Sequence, residues 1–384
     1  MSQLPTFQNA GRPLDRRTLL QAGAAASAAV MLPAVLRGQD SPPPGKKLSI
    51  LILGGTGFLG PAIVRAAQAR GHSLTLFNRG KTRTELFPDV PRLVGDRDPD
   101  KDEGLKALAE GKWDVCFDDC GYYPRMVSAS AELLKERVGH YVYVSSISAY
   151  AKNEKEGADE SEPVATMEDP TVESMGEGYA NYGPLKALCE QASEHAFPGR
   201  CAVIRPGYIV GPEDPTDRYT YWPVRATRGG EMLAPGAASD PIQVIDVRDL
   251  GEWMVRVAEQ KTVGVFNACG PAKKLSMGEV IEACRAAAAP ESASLKPVWV
   301  DHEFLAKQPG VDLPIWAPYA GESRGFHTWS NARAVKAGLT FRSIAVTTKD
   351  TLTWHLSRPA ERQAKLRAGL SAEKEAELLK LFRA

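Results

Sequence analysis

The sequence predicts an α/β fold in which a mostly parallel sheet is wound on both faces by helices and followed by a smaller C-terminal lobe. Three observations carry that expectation. The apolar run KLSILILGG (47–55) ends in glycines, as a strand buried on both faces does. Strand-like and helix-like stretches then alternate to about residue 206, which implies parallel strands joined by helical crossovers. Beyond about residue 207 the alternation loosens, and Pro, Trp and Tyr become frequent.

Taken in order, FLGPAIVRAAQARG (58–71) has helical spacing and closes on Gly71. SLTLFNR is a second strand and RLVGD a short third. EGLKALAEG is expected to be helical, WDVCFDDCG a fourth strand, MVSASAELLKERVG a helix and HYVYVSSIS a fifth strand. An acidic loop, about 154–177, leads to a helix beginning near YGPLKALCEQASEHA, and CAVIRPGYIVG follows as a strand. IQVIDVRDLGEWMVRVAEQ and GVFNACG are expected to return to the main sheet, and KLSMGEVIEACRAAAA to open the partly helical lobe. SAEKEAELLKLFRA, at the C-terminus, is an amphipathic helix that packs on its own chain or on a partner such as a second copy in a homodimer.

The chain has 384 residues, 43% hydrophobic and 24% charged, which suits a soluble globular protein. Its 47 basic and 47 acidic residues cancel, and no basic cluster stands out, so a nucleic-acid partner is not expected. Of six cysteines none forms a CxxC pair and no His cluster accompanies them, so no metal site is expected. Cys116, Cys201 and Cys269 fall in or beside strand-like runs and read as small buried hydrophobes; an even count leaves disulfides open.

Near the N-terminus Arg16 and Arg17 precede a mostly apolar run of small residues to about Leu36, then the polar linker RGQDSPPPGKK. The run is too short and alanine-rich for a membrane span, and the layout is that of a signal peptide. The paired arginine in DRRTLLQ resembles signals of the twin-arginine route. The expected destination is periplasmic or otherwise extracytoplasmic, with no stable membrane span after signal removal; without use of the signal the chain would be cytoplasmic.

Gly54, Gly57 and Gly60 give GxxGxxG between a strand and a helix. In that context the glycines permit a tight turn, approach of the backbone to a pyrophosphate and close packing of helix on sheet, with the helix N-terminus facing the phosphates. Phe58 and Leu59 complete the loop. This makes the core a Rossmann-type dinucleotide-binding domain. The expected division is residues 1–40 signal and linker, 47–206 dinucleotide core with returning segments at about 241–270, 207–240 and 271–350 substrate lobe, and 351–384 a C-terminal helical segment. At the end of the second strand Asn78 stands where an acid would meet a ribose hydroxyl, and Arg79 and Lys81 follow. A cation there can meet a 2′-phosphate, so the expected cofactor is NAD(P), with NADP favoured.

Tyr182 and Lys186, four apart in YGPLK, share a helix face near its start, with Pro184 in the first turn. A nearby ammonium favours a phenolate, which can take a hydroxyl proton while hydride leaves the same carbon. The fifth strand ends in YVSSIS, where Ser146 and Ser148 both qualify to orient a substrate oxygen.

With GGTGFLG, YVYVSSISAY, YGPLK and RPGYIVGP in that order, the chain resembles extended short-chain dehydrogenases/reductases of the NAD-dependent epimerase/dehydratase family over roughly residues 47–345. The resemblance implies Ser146, Tyr182 and Lys186 as the catalytic set, with Lys186 also on the nicotinamide ribose. It implies Asp96 at the adenine, Cys120 and Gly121 over the cofactor, and Pro206 and Gly207 beside the nicotinamide. SNARAVKAGL (330–339) resembles a late segment beside the substrate pocket of sugar-nucleotide members. Two departures stand out. DDCGYY replaces the family's HLAA, leaving Asp118, Asp119, Tyr122 and Tyr123 either as polar contacts or as ordinary strand-end residues. Ile147-Ser148 follows Ser146 where 4,6-dehydratases carry Asp-Glu, which argues against that water-losing activity.

Export bears on the chemistry. The twin-arginine route resembles an exporter of folded proteins, so an enzyme can leave with its dinucleotide bound. Outside, no cofactor pool would refill it, which suits a closed cycle in which hydride leaves and returns in one turnover, as in an epimerase. Sugar nucleotides are mostly cytoplasmic, so the expected substrate is a small molecule, a sugar or polyol. Tyr208, Tyr219, Tyr221, Trp222, Trp316, Tyr319 and Trp329 either stack on sugar rings or pack the lobe. The function expected is an NAD(P)-dependent oxidoreductase or epimerase; the alternative is a non-catalytic dinucleotide sensor or RNA-binding relative on the same fold.

Overall fold

A computed structural model of the chain describes residues 46–384, so the paired arginines, the signal-like run and most of the linker lie outside the described residues. Six parallel strands are laid down first: β1 (Ser49–Leu53), β2 (Ser73–Asn78), β3 (Arg92–Val94), β4 (Trp113–Asp118), β5 (Val138–Val144) and β6 (Cys201–Pro206). Helices α1 (Leu59–Ala69), α2 (Pro124–Leu134) and α3 (Tyr182–Ala196) cross between them. In β1 every residue from Ile50 to Leu53 is fully buried. Ile50 and Ile52 join the core that holds Ile63, Leu250 and Trp253, while Leu51 and Leu53 face the core of Val127, Tyr143 and Phe197. The pleat therefore sends alternate residues of one apolar run into two different cores, which is why the run does not alternate in polarity.

The lobe begins at once after β6. Strands β7 (Tyr208–Val210), β8 (Glu231–Pro235), β9 (Pro241–Ile242) and β10 (Val244–Asp246) and helices α4 (Tyr221–Thr227) and α5 (Val247–Gln260) precede β11 (Gly264–Ala268). β11 pairs parallel with β6 and completes a seven-stranded sheet, ordered β11-β6-β5-β4-β1-β2-β3. The strand β12 (Leu275–Ser276), helix α6 (Met277–Ala287) and strand β13 (Lys296–Val300) follow, with β13 paired parallel to β8. Trp222, Met232, Ile281, Leu378 and Leu379 share the lobe's core, so the C-terminal helix Ala372–Phe382 packs on its own chain.

Three local expectations are corrected. EGLKALAEG forms only a three-residue 3-10 turn, Lys106–Leu108. Leu105 and Leu108 anchor it, but Gly104 at φ +50° and Gly111 leave too short a stretch for a full helix. CAVIRPGYIVG is not one strand. At Gly207 the chain leaves the sheet, its N–H reaching the Ala268 carbonyl at 3.4 Å, and β7 pairs with β10 instead. Of the two segments expected to return to the main sheet, GVFNACG joins it as β11, while IQVIDVRDLGEWMVRVAEQ pairs its strand β10 with β7 and packs its helix α5 on the sheet's core. Among the described residues no helix is long and apolar enough to cross a membrane.

Candidate active site

The carboxyl ends of β1, β4, β5 and β6 open into a cavity of about 430 Å³. Of the residues singled out from the sequence, it gathers Gly54, Gly57, Phe58, Leu59, Cys120, Ser146, Ser148, Tyr182, Lys186, Pro206 and Gly207. The phosphate loop has the expected form. Gly54 and Gly55 have φ of +114° and +86°, a region that favours glycine. A Cβ at Gly60 would fall 2.5 Å from the Gly55 Cα, so this glycine lets α1 sit directly on the loop, whereas space at Gly57 is open. That open space above the start of an eleven-residue helix fits a dinucleotide pyrophosphate.

The candidate catalytic side chains meet because the segment after β5 and the start of α3 touch. Ser146 stands two residues after β5 in extended conformation and its Oγ accepts the Ser148 N–H at 3.1 Å, fixing a 3-10 turn over Ile147–Ala149. A Cβ at Gly183 would lie 2.1 Å from the Ser148 carbonyl oxygen, so only glycine lets the first turn of α3 approach that turn. Tyr182 is thereby brought beside Ser146. Burial raises the Tyr182 phenol above its usual range, and the Ser146 hydroxyl and the Arg218 charge offset part of the rise.

Lys186 lines the cavity and is anchored by the backbone. It is buried at 3% exposure, and its ammonium donates to the carbonyls of Gly121 at 2.8 Å and Val144 at 2.6 Å. It also stands 4.4 Å from the Tyr143 ring centroid. Burial lowers its pKa to about 8. The ammonium is thus held by two carbonyls, while the phenol of Tyr182 is shifted by its burial, Ser146 and Arg218.

Other predicted cofactor residues do not line the cavity. Asn78 ties the end of β2 to the loop, its Nδ2 donating to the Gly54 carbonyl at 2.9 Å and its Oδ1 accepting the Gly80 N–H at 3.0 Å. Arg79 and Lys81 point into solvent. The cation that reaches the phosphate loop is Arg83, which donates to the Gly57 carbonyl at 3.1 Å and pairs with Glu213. The Asp96 carboxylate is turned into its own loop, accepting the Asp98 N–H at 3.0 Å. Gly121 is buried against Val127 and Tyr143 and contributes its carbonyl to Lys186. Of the candidate tyrosines Tyr122 and Tyr208 line the cavity, joined by Phe326, which no local pattern marked out. Tyr219, Tyr221, Trp222 and Trp329 are core residues.

The DDCGYY departure divides into two roles. Asp118 is fully buried and takes both arms of Arg97 at 2.9 Å and the Tyr141 hydroxyl at 2.7 Å, a structural network. Asp119 lines the cavity beneath the phosphate loop, close against Gly54 and Gly60. Burial and the neighbouring Asp118 lift its carboxyl to about 7, against the pull of Arg97 and Lys186. Under the site, Glu190 receives the Ser145 hydroxyl and both arms of Arg205, at 2.9 and 2.5 Å, all buried. Arg205 in turn lies 4.5 Å from the centroid of the Tyr150 ring, which stacks on Trp329. Asn331, in the late segment, donates to the carbonyls of Cys269 and Pro271 at 2.6 and 3.2 Å and fastens that segment to the end of β11. All six cysteines are free, and only Cys120 is not fully buried.

A strand-end cleft with a glycine loop, a strand-end serine and a Tyr/Lys helix defines a dinucleotide-fold protein of the oxidoreductase and epimerase type. The NAD dependent epimerase/dehydratase family model matches residues 50–269, more than half of the chain, and the chain belongs to that family. A curated relative is chloroplast stem-loop binding protein of 41 kDa b from Arabidopsis thaliana, 27% identical over 252 residues. The match covers 61% of this chain and 62% of that relative, less than two thirds of its length. Among solved structures, the Bordetella bronchiseptica enzyme WbmH in complex with NAD+ is similar at TM-score 0.60 and 16% identity, over 81% of this chain and 99% of that one. UDP-N-acetylglucosamine 4-epimerase from Bacillus cereus is similar at TM-score 0.57 and 16% identity, covering 82% and 100%. Human epimerase family protein SDR39U1 with NADPH is similar at TM-score 0.53 and 18% identity, covering 79% and 99%. At such identities the structural likenesses speak for the fold.

Proposed function

We propose that the chain is an NAD(P)-dependent oxidoreductase or epimerase acting on a hydroxyl or carbonyl of a sugar-like small molecule. The observation that carries this reading is the convergence of Ser146, Tyr182 and Lys186 with the phosphate loop in one cavity. When bound, the nicotinamide supplies a hydride acceptor. Ser146 orients the substrate oxygen, and Tyr182 takes or returns its proton. Lys186 positions the carbonyl ends of β4 and β5 around the site and carries positive charge below about pH 8. Asn78 at the end of β2, in place of an acid, leaves room for NADP and favours it. The sequence before residue 40 supports export by the twin-arginine route, which favours a closed hydride cycle over a reductase that draws on free NADPH.

The test is to purify the chain without added cofactor, denature it and assay released dinucleotide. Stoichiometric NAD or NADP supports a pre-loaded enzyme; an empty protein that binds NADPH weakly and reversibly rejects the closed cycle. A second reading is RNA binding without catalysis, favoured by the chloroplast stem-loop binding relative. A gel-shift titration with a stem-loop RNA separates the two, because the balanced charge of this chain predicts no shift at physiological salt.

A further inference from the structure

We propose that Arg218 receives a compact anionic group, a carboxylate or a phosphate, carried by the substrate next to the carbon whose oxygen faces Tyr182. This rests on the oxidoreductase reading of the same cavity and adds the substrate's charge class. Arg218 lines the cavity with Tyr182, Ser146, Tyr208 and Phe326. Among the described residues it forms no ion pair, and its one hydrogen bond runs from Nε to the Thr216 Oγ1 at 3.0 Å. Both terminal guanidinium nitrogens are therefore left for a ligand, in the fork geometry that suits carboxylate and phosphate.

The arginine is held on a built frame. Thr216 gives both its N–H and its hydroxyl to the Asp214 Oδ1, at 2.9 and 2.6 Å, and Asp214 is 1% exposed. The preceding residue, Asp217, is fully buried and fixed by Arg358 at 2.6 Å, Arg362 at 2.9 Å and the Arg367 N–H at 3.1 Å. Two arginines from the C-terminal segment thus lock the loop that presents Arg218. The guanidinium lies 5.7 Å from the Tyr208 ring centroid, so the ring backs it.

The other charges lining the cavity do not neutralise it. Lys186 is engaged with the Gly121 and Val144 carbonyls, and Asp119 sits beneath the phosphate loop against Gly54 and Gly55. Arg218 is thus a fixed cation with no counter-ion among the described residues, beside the candidate catalytic tyrosine. A neutral sugar would leave it unmatched, whereas an acidic sugar would complete it.

The test uses the full chain saturated with NADP, titrated calorimetrically with glucose, glucuronate and glucose 6-phosphate. Absorbance of the reduced nicotinamide is followed in the same samples. At least one acid is expected to bind ten-fold or more tightly than glucose, and which acid does so tells carboxylate from phosphate. Arg218→Met should erase the preference by weakening that acid about 10- to 100-fold, with dinucleotide affinity and thermal midpoint unchanged. Arg218→Lys should restore part of it. Equal binding of glucose, no saturable binding of any of the three, or a preference that survives Arg218→Met overturns the proposal. Arg218-dependent acid binding with neither nicotinamide reduction nor an epimerised product by NMR of the same samples instead rejects the oxidoreductase-or-epimerase reading and leaves the anion site standing.

Discussion

A methyl group placed on Gly54 would fall 1.9 Å from the Oδ1 of Asp119. An acid thus fills the underside of the loop that would cradle a pyrophosphate, and the same carboxylate lies 2.7 Å from the Cβ position of Gly60. Burial and Asp118 raise its pKa to about 7, while the Gly55 N–H, Arg97 and Lys186 hold it down. Below that pH the group is neutral; above it, a carboxylate faces the phosphates. Binding a dinucleotide should therefore take up a proton, and affinity should fall as pH rises through about 7, by at most about ten-fold per unit. Fluorescence titration of NADPH between pH 6 and 8.5 checks this, and Asp119→Asn should flatten the profile. A profile as steep in that variant would refute the role of Asp119.

Tyr182 and Lys186 should separate in stability while agreeing in activity. Tyr182→Phe removes the proposed proton carrier, with an expected loss of about 10²- to 10⁴-fold in turnover. It leaves the surrounding hydrogen bonds nearly intact, so its thermal midpoint should match that of the parent chain. Lys186→Met also strips two buried carbonyls, Gly121 and Val144, of their donor. Each orphaned acceptor costs about 1–3 kcal/mol, so this variant should melt measurably lower. Calorimetry of the two variants side by side decides it.

Glu190 supports the site from below. Its carboxylate is the shared acceptor for Ser145, the residue before Ser146, and for Arg205. Glu190→Ala leaves the Arg205 guanidinium buried without its counter-charge, which should cost about 3–5 kcal/mol in denaturant unfolding. Glu190→Gln keeps the shape and part of the bonding and should cost less. Equal stability of all three chains would mean that solvent reaches Arg205.

How far the sequence could foretell this arrangement depended on whether a residue's role was local. The strand ending in GGTG, the serine at the end of β5 and the YGPLK helix start are local patterns, and they meet because parallel strands bring their carboxyl ends together. Roles that depend on distant partners were not legible. Arg79 and Arg83 lie four apart in one loop, and only Glu213, 130 residues on, decides that Arg83 reaches back over the phosphate loop. Asp96 turns inward because the chain curls onto Gly104. Lys186 took the carbonyls of Gly121 and Val144, a choice set by where β4 and β5 end. Asp118 and Asp119 are adjacent and identical in type, yet strand pleating sends one to Arg97 and the other to the cavity.

The Arg83–Glu213 pair makes the last prediction. Arg83 comes from the loop after β2 and touches the Gly57 carbonyl; Glu213 comes from the loop after β7 and also holds Arg65 at 2.7 Å. The three side chains form a strap from the dinucleotide core to the lobe across the mouth of the phosphate loop. Arg83 and Arg65 are 33% and 51% exposed, so the strap is open to screening by salt. A strap placed there should slow the release of a bound dinucleotide. Glu213→Gln should therefore speed dinucleotide release several-fold in stopped-flow displacement. Release from the parent chain should accelerate between low and high salt, while release from the variant should change little. If salt accelerates both equally, the ions are acting on the phosphates themselves, and the strap does not gate the site.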